Sequence, residues 1–131
     1  MTDAPTTSNA ATSTLRRVAL WMLVVAWAGV IFWFSTKPGT QIPGRFSEIG
    51  HLGEYFVFGV LLYSALRTDL TPARAAAIAI IVASCYGMSD EFHQHFVFMR
   101  TPDVVDWGTD TIGATVGMLV ARGLGRFAKR Q

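Results

Sequence analysis

The sequence predicts an all-α integral membrane protein, a four-helix bundle with both termini on the cytoplasmic side (N-in/C-in). Three observations predict it. Hydrophobic residues make up 51% of the 131 and charged residues only 15%, against about 25% in an ordinary soluble domain. The apolar residues come in four long blocks rather than scattered pairs, and the mean hydropathy is +0.36. Four of the five prolines, at 38, 43, 72 and 102, fall between those blocks or at their ends, where proline does least harm to a helix. Disorder, coiled coil and nucleic-acid binding each need a richer and differently patterned set of charges. Cys85 is the only cysteine, so an intrachain disulfide is excluded. CxxC, P-loop, dinucleotide-fold glycine and G-x-S-x-G patterns are absent.

Residues 1–14 are small and polar and read as a disordered cytoplasmic tail. Arg16 and Arg17 precede the first block, Val18–Thr36, which has no charge over nineteen residues. At 1.5 Å per residue that length crosses a hydrocarbon core of about 30 Å. Its basic start and Ala26-Trp27-Ala28 also fit a cleaved signal peptide. The apolar run continues through Ile31, Phe32, Trp33 and Phe34, which favours an uncleaved span. The second block, 49–66, carries His51 and Glu54 in its first turns. The third, 73–90, is rich in Ala and Ile, and its charges lie only at its ends. The fourth, 104–121, has Asp106 and Asp110 near its start. In it Gly113 and Gly117 form a small-xxx-small face that lets a helix approach closely, in this chain or in a second copy. Together these make one membrane domain over 15–125, followed by a basic cytoplasmic tail, 126–131.

Lys and Arg near span ends set orientation. With the N-terminus inside, the cytoplasmic side receives Arg16, Arg17, Arg67, Arg74, Arg122, Arg126, Lys129 and Arg130. The outer side receives only Lys37, Arg45 and Arg100. The same topology sends Glu48, Glu54, Asp90, Glu91, Asp103, Asp106, Asp110 and all three histidines outward, leaving Asp3 and Asp69 inside. Ionisable groups inside spans are costly and face a bundle interior or a wet cavity. The expectation is therefore one polar, net-acidic, outward-facing pocket.

Several pairs have helical spacing: His51 with Glu54, Glu91 with His95, Asp90 with Gln94, and Asp106 with Asp110. Asp90 and Glu91 are adjacent and point in different directions, so one is expected to face the pocket, and alignment with His95 favours Glu91. His51, Glu54, Glu91, Asp106 and Asp110 are the candidate catalytic residues, since imidazole and carboxylates are what acid–base chemistry needs. Ser35, Gln94 and Arg100 are the candidate substrate-binding residues, with Arg100 able to grip an anion bidentately. For Asp106 and Asp110, a purely structural role, helix capping and hydrogen bonds to Arg100 or His51, weighs equally. His51, Glu54, Glu91, His95 and Asp106 mix the ligand types of zinc and iron sites, but no tight ligand motif such as H-E-x-x-H fixes a metal. The cofactor stays unknown.

These residues carry a resemblance. Asp90-Glu91-Phe92-His93-Gln94-His95-Phe96, then Arg100, Asp106, Asp110, Gly113 and Gly117, resembles the signature of the VanZ-like family: DE, often HQ, an aromatic, an Arg, then D-x-x-x-D-x-x-G-x-x-x-G. His51-Leu52-Gly53-Glu54-Tyr55-Phe56-Val57-Phe58-Gly59 is similar to its H-x-x-(E/x)-Y-F-x-L-G stretch, and Phe34-Ser35 to its F-S element. The chain departs from the family at Glu48, where a lysine is common, and at Phe98-Met99, where Pro-Gly is common. The resemblance implies a small multispan envelope protein related to one associated with teicoplanin resistance.

The function expected from pocket and resemblance together is binding or modification of a lipid-linked or cell-envelope component at the outer leaflet of a bacterial-type plasma membrane, with glycopeptide sensitivity as a consequence. As an enzyme it would hydrolyse or transfer a lipid head group. A non-catalytic cation or amine binder, a small transporter and a purely structural bundle are the rival classes. The expected partners are membrane lipids or a lipid-linked envelope precursor, and a second copy of the chain, with no nucleic acid.

Overall fold

The computed structural model describes residues 7–41 and 44–128. It is all-helical: α1 (Thr7–Ser35), a 3-10 turn (Gly39–Gln41), α2 (Gly44–Leu66), α3 (Pro72–Gln94) and α4 (Val104–Phe127). At 1.5 Å per residue the 23 residues of α3 extend about 35 Å. α3 starts where Thr71 leaves extended backbone and Pro72 takes the first helical position, its missing N–H costing nothing there. α4 starts at Asp103, whose carboxylate accepts from Val105 N at 2.8 Å, a side-chain N-cap.

The helices outrun the apolar blocks that announced them. α1 begins at Thr7, taking in residues expected as tail; within it the Ser13 and Thr14 hydroxyls donate to the Ala10 carbonyl at 2.8 and 3.0 Å, which satisfies them without competing for other backbone groups. Residues 1–6 of that tail, and 129–131 of the basic one, lie outside the described residues. Three helices are long and apolar enough to cross a membrane: Ala10–Ser35, Ile49–Leu66 and Pro72–Gln94. α4 has the length but is less apolar, because Asp106, Asp110, Thr109, Thr111 and Thr115 dilute it.

The helices alternate in direction. At one end Arg17, near the start of α1, meets Asp69 of the α2–α3 connection at 3.1 Å. At the other, Gly39 N donates to the Phe98 carbonyl at 3.2 Å, joining the α1–α2 and α3–α4 connections. A Cβ on Gly39 would lie 1.9 Å from the Met99 carbonyl oxygen, and Met99 takes φ +56° to turn there.

α2 and α4 share the largest face. A Cβ on Gly117 would lie 2.0 Å from the Phe56 carbonyl oxygen, one on Gly59 2.1 Å from that of Ala114, and one on Gly113 2.6 Å from that of Leu52. The two backbones touch, as small residues permit. The Gly113/Gly117 face, expected to serve this chain or a second copy, is thus occupied inside the chain. α3 buries Ala75, Ala76, Ala79 and Ala83 for the same reason. Aromatic donors bind the bundle across helices: Trp27 Nε1 to the Glu54 carbonyl (2.9 Å), Tyr86 OH to that of Ala28 (2.7 Å) and Trp107 Nε1 to that of Ser84 (3.0 Å). Outside, Val18, Met22, Val25, Phe32, Ile81, Ile112 and Leu119 are exposed, an apolar coat that suits lipid rather than water.

Candidate functional site

The end of the bundle holding the C-terminus of α1, the N-terminal half of α2, the C-terminus of α3 and the N-terminus of α4 gathers most of the candidate residues. His51 of α2 and Asp110 of α4 form its centre. Their side chains meet, Nδ1 to Oδ1, at 2.9 Å, with His51 7% exposed and Asp110 not exposed at all. An ionised carboxylate only accepts, so opposite ionised Asp110 it is Nδ1 that donates, and in the neutral ring Nε2 is then the basic nitrogen. The contact exists because α2 and α4 approach through Gly59, Gly113 and Gly117, and because α3 places Gly87 opposite Asp110. A Cβ on Gly87 would lie 3.0 Å from Asp110 Oδ2. That oxygen is buried without a hydrogen-bond partner.

Glu91 comes from the last turns of α3. Its Oε2 accepts from the Asp103 backbone N at 2.9 Å, while Oε1 is buried without a partner. Asp106 is half-buried on the first turn of α4. One ligand atom each from His51, Glu91 and Asp106 lie within 4.8 Å of one another, a set able to hold a divalent cation. His95, expected beside Glu91 and in the ligand set, is instead exposed at the C-cap of α3, its ring against Phe96 while only its backbone N–H reaches Glu91, at the carbonyl. Glu54 is half-buried and makes no side-chain hydrogen bond among the described residues; its carbonyl receives Trp27. It does not join the ligand set.

Of the two adjacent acids, Glu91 joins His51 and Asp106, and Asp90 joins a separate network. Both are buried, Asp90 at 5% exposure and Glu91 at 7%, on two sides of α3. Asp90 Oδ2 accepts from Gln94 Nε2 at 3.1 Å, the predicted i,i+4 pair. Gln94 Oε1 in turn accepts from Arg100 Nη1 at 3.1 Å, and Arg100 Nε donates to the Lys37 carbonyl at 3.2 Å. This second network runs from α3 through the α3–α4 connection to the end of α1. Lys37 places its ammonium 4.0 Å from the Trp33 ring centre. Ser35 is buried with its hydroxyl unpartnered. Arg45 and Glu48 lie where side chains are not described.

Sequence reading passed over Tyr55, fully buried with an unpartnered hydroxyl, its ring against Phe58 and Tyr86. It also passed over Gly87. The available signal was position, since Gly87 precedes Asp90 and Glu91 by three and four residues and so shares their helix face.

Chemically the site offers an imidazole oriented by a buried carboxylate, two further carboxyls beside it, and an arginine anchored a turn away. A family model described as VanZ/LLP1 matches residues 18–126. No curated protein and no solved structure matches the chain.

Proposed function

The chain belongs to the VanZ/LLP1 family, and on that premise we propose that it acts at the outer leaflet of the plasma membrane on a lipid-linked or cell-envelope component. In this reading all four helices span the bilayer, both termini are cytoplasmic, and the acid–histidine end faces outward. The observation that carries it is the buried His51–Asp110 pair, 2.9 Å across two helices at the end opposite the clustered arginines. Lys and Arg concentrate on the cytoplasmic side, and ionisable groups kept among apolar helices mark functional sites. The cleft suits an amphiphile, with carboxyls, imidazole and Arg100 for the head group and an apolar coat alongside for the tails.

If the chemistry is hydrolysis or head-group transfer, His51 Nε2 or Glu91 takes the proton from the attacking water or hydroxyl, and Asp110 holds the imidazole in the required tautomer. Arg100 supports developing negative charge. Ser35 and Gln94 line the approach, and Glu54 and Asp106 supply further carboxylates. Altered teicoplanin sensitivity is the expected cellular consequence.

The test compares glycopeptide susceptibility of cells expressing the intact protein or Glu91→Gln at equal membrane abundance. Reduced teicoplanin sensitivity with the intact protein alone supports the reading; no difference from cells without the protein removes it. Orientation is checked separately in a Cys85→Ser background. Thr101→Cys should react with a membrane-impermeant maleimide from outside, and Thr68→Cys only after permeabilisation.

A second reading, a cation binder or small transporter, is favoured by the His51, Glu91 and Asp106 set. It predicts zinc or manganese bound by the purified protein and lost in Asp106→Asn.

A further inference from the structure

Across the bundle from the acid–histidine cleft lies a cavity of about 730 Å³ to which all four helices contribute. α1 brings Arg16, α2 brings Tyr63 and Ser64, the α2–α3 connection brings Arg67, and α4 brings Arg122 and Arg126, while α3 turns its N-terminus, with Thr71 to Ala73, into the same space. No acidic side chain lines it. The one acid at this end among the described residues, Asp69, is engaged by Arg17 at 3.1 Å and by the Thr68 hydroxyl at 2.8 Å.

The donors facing the cavity are mostly unspent. Arg67 Nη1 donates to the Leu70 carbonyl. Arg16, Arg122 and Arg126 have no hydrogen-bond partner among the described residues, and Arg122 Nε is buried in that state. The Thr71 side chain makes no capping bond, so it leaves the first-turn amides of α3 unclaimed. A buried donor without an acceptor is costly, and converging guanidinium groups repel one another. Both costs fall when an anion with several oxygens enters. Guanidinium forks match phosphate geometry, and a helix N-terminus adds amides and a favourable dipole.

We propose that this cavity binds a phosphomonoester or diphosphate group. A singly charged carboxylate would balance one arginine, whereas the cavity presents four, from α1, α4 and the α2–α3 connection. Its volume also leaves room for the group to which the phosphate is attached. The site is separate from the acid–histidine cleft, and its occupancy does not depend on what that cleft acts on or on which way the chain faces.

The test uses the full chain in phosphatidylcholine nanodiscs titrated with sodium pyrophosphate. A parallel set of nanodiscs containing phosphatidic acid is read by native mass spectrometry for retained lipid. The expected result is one pyrophosphate, or one retained phosphatidic acid, per chain. Arg122→Gln should weaken that binding about tenfold or more, the share of a charge-assisted hydrogen bond. Arg74→Gln, an exposed arginine at the same end but outside the cavity, should leave it within about twofold. Arg126→Gln, on the exposed rim, repeats the test without touching a partly buried group. Retention of phosphatidic acid that pyrophosphate displaces identifies a lipid head group as the source, and pyrophosphate binding alone identifies a soluble ester. Absence of stoichiometric binding by both probes overturns the site. So does equal weakening by Arg74→Gln and Arg122→Gln, which would mean that diffuse positive charge does the attracting.

Discussion

The two ends of the bundle handle charge in opposite ways. At the acid–histidine end four ionisable groups are buried and hydrogen-bonded: His51 with Asp110, Glu91 with the Asp103 amide, and Asp90 through Gln94 to Arg100. At the arginine end Arg16 and Arg126 are exposed, Arg67 and Arg122 only partly covered, and the one ion pair among the described residues, Arg17 with Asp69, is half open to solvent. Low dielectric makes the first arrangement sensitive to single-atom changes, while water and salt screen the second. The acidic end should therefore tolerate few substitutions and the basic end many. Removing a charge should damage folding at one end and ligand affinity at the other.

The largest break should come from the seam that holds the acidic end together. Gly117→Ala drives a methyl group against the Phe56 carbonyl, and overpacking of this kind costs about 3 kcal/mol or more where backbone must shift. Gly123→Ala and Gly125→Ala, which meet nothing within 4 Å, should be neutral or stabilising by about 0.5 kcal/mol. Thermal unfolding in detergent measures all three; similar losses would mean that α2 and α4 are not in backbone contact.

Next is the pair itself. Asp110→Asn keeps the shape but removes the charge from the bond to His51, and the expected loss is about 1–2 kcal/mol. A double-mutant cycle with His51→Gln should recover most of that as coupling energy; additive losses would show that the two do not interact. Arg100→Lys is milder. A lysine cannot reproduce the fork that serves both Gln94 and the Lys37 carbonyl, so about 1 kcal/mol is expected from the same unfolding measurement.

The smallest effect belongs to the basic end. Thr68 and Arg17 hold the Asp69 carboxyl below its ordinary range. Because the folded value is depressed, the stabilisation is present above the unfolded value of about 4 and is lost as pH falls through the folded one. Asp69→Asn should thus shift the melting temperature slightly at pH 7, and the gap from the intact protein should close on acidification below about pH 4. A gap that widens on acidification would contradict the assignment.

How much of this was legible in the sequence differs by link. The helices, their order and the gathering of acids at one end of the bundle follow from blocks of apolar residues and the positions of charged ones, which are local facts. Spacing also yielded the Asp90–Gln94 pair. The His51–Asp110 bond joins residues 59 apart, and nothing local chooses it over His51 with Asp106 or Asp110 with Arg100. The helix seam decides that choice, through three glycines whose partners are backbone carbonyls rather than side chains. His95 keeps the helical i,i+4 backbone bond to Glu91, yet its ring lies exposed against Phe96, so spacing alone did not bring the two side chains together. The arginine cavity was visible as topology-setting charge, but its enclosed shape depends on how four helix ends meet.

The seam also sets where the bundle can yield. Where one helix rests its glycines on the carbonyls of the next, no corridor as wide as an acyl chain remains, so the α2–α4 side is a wall. α1 meets the bundle over smaller faces and partly through tethers such as Trp27 to Glu54 and Tyr86 to Ala28. The bundle is therefore stiffest across α2 and α4, and α1 is the helix whose separation from the rest costs least.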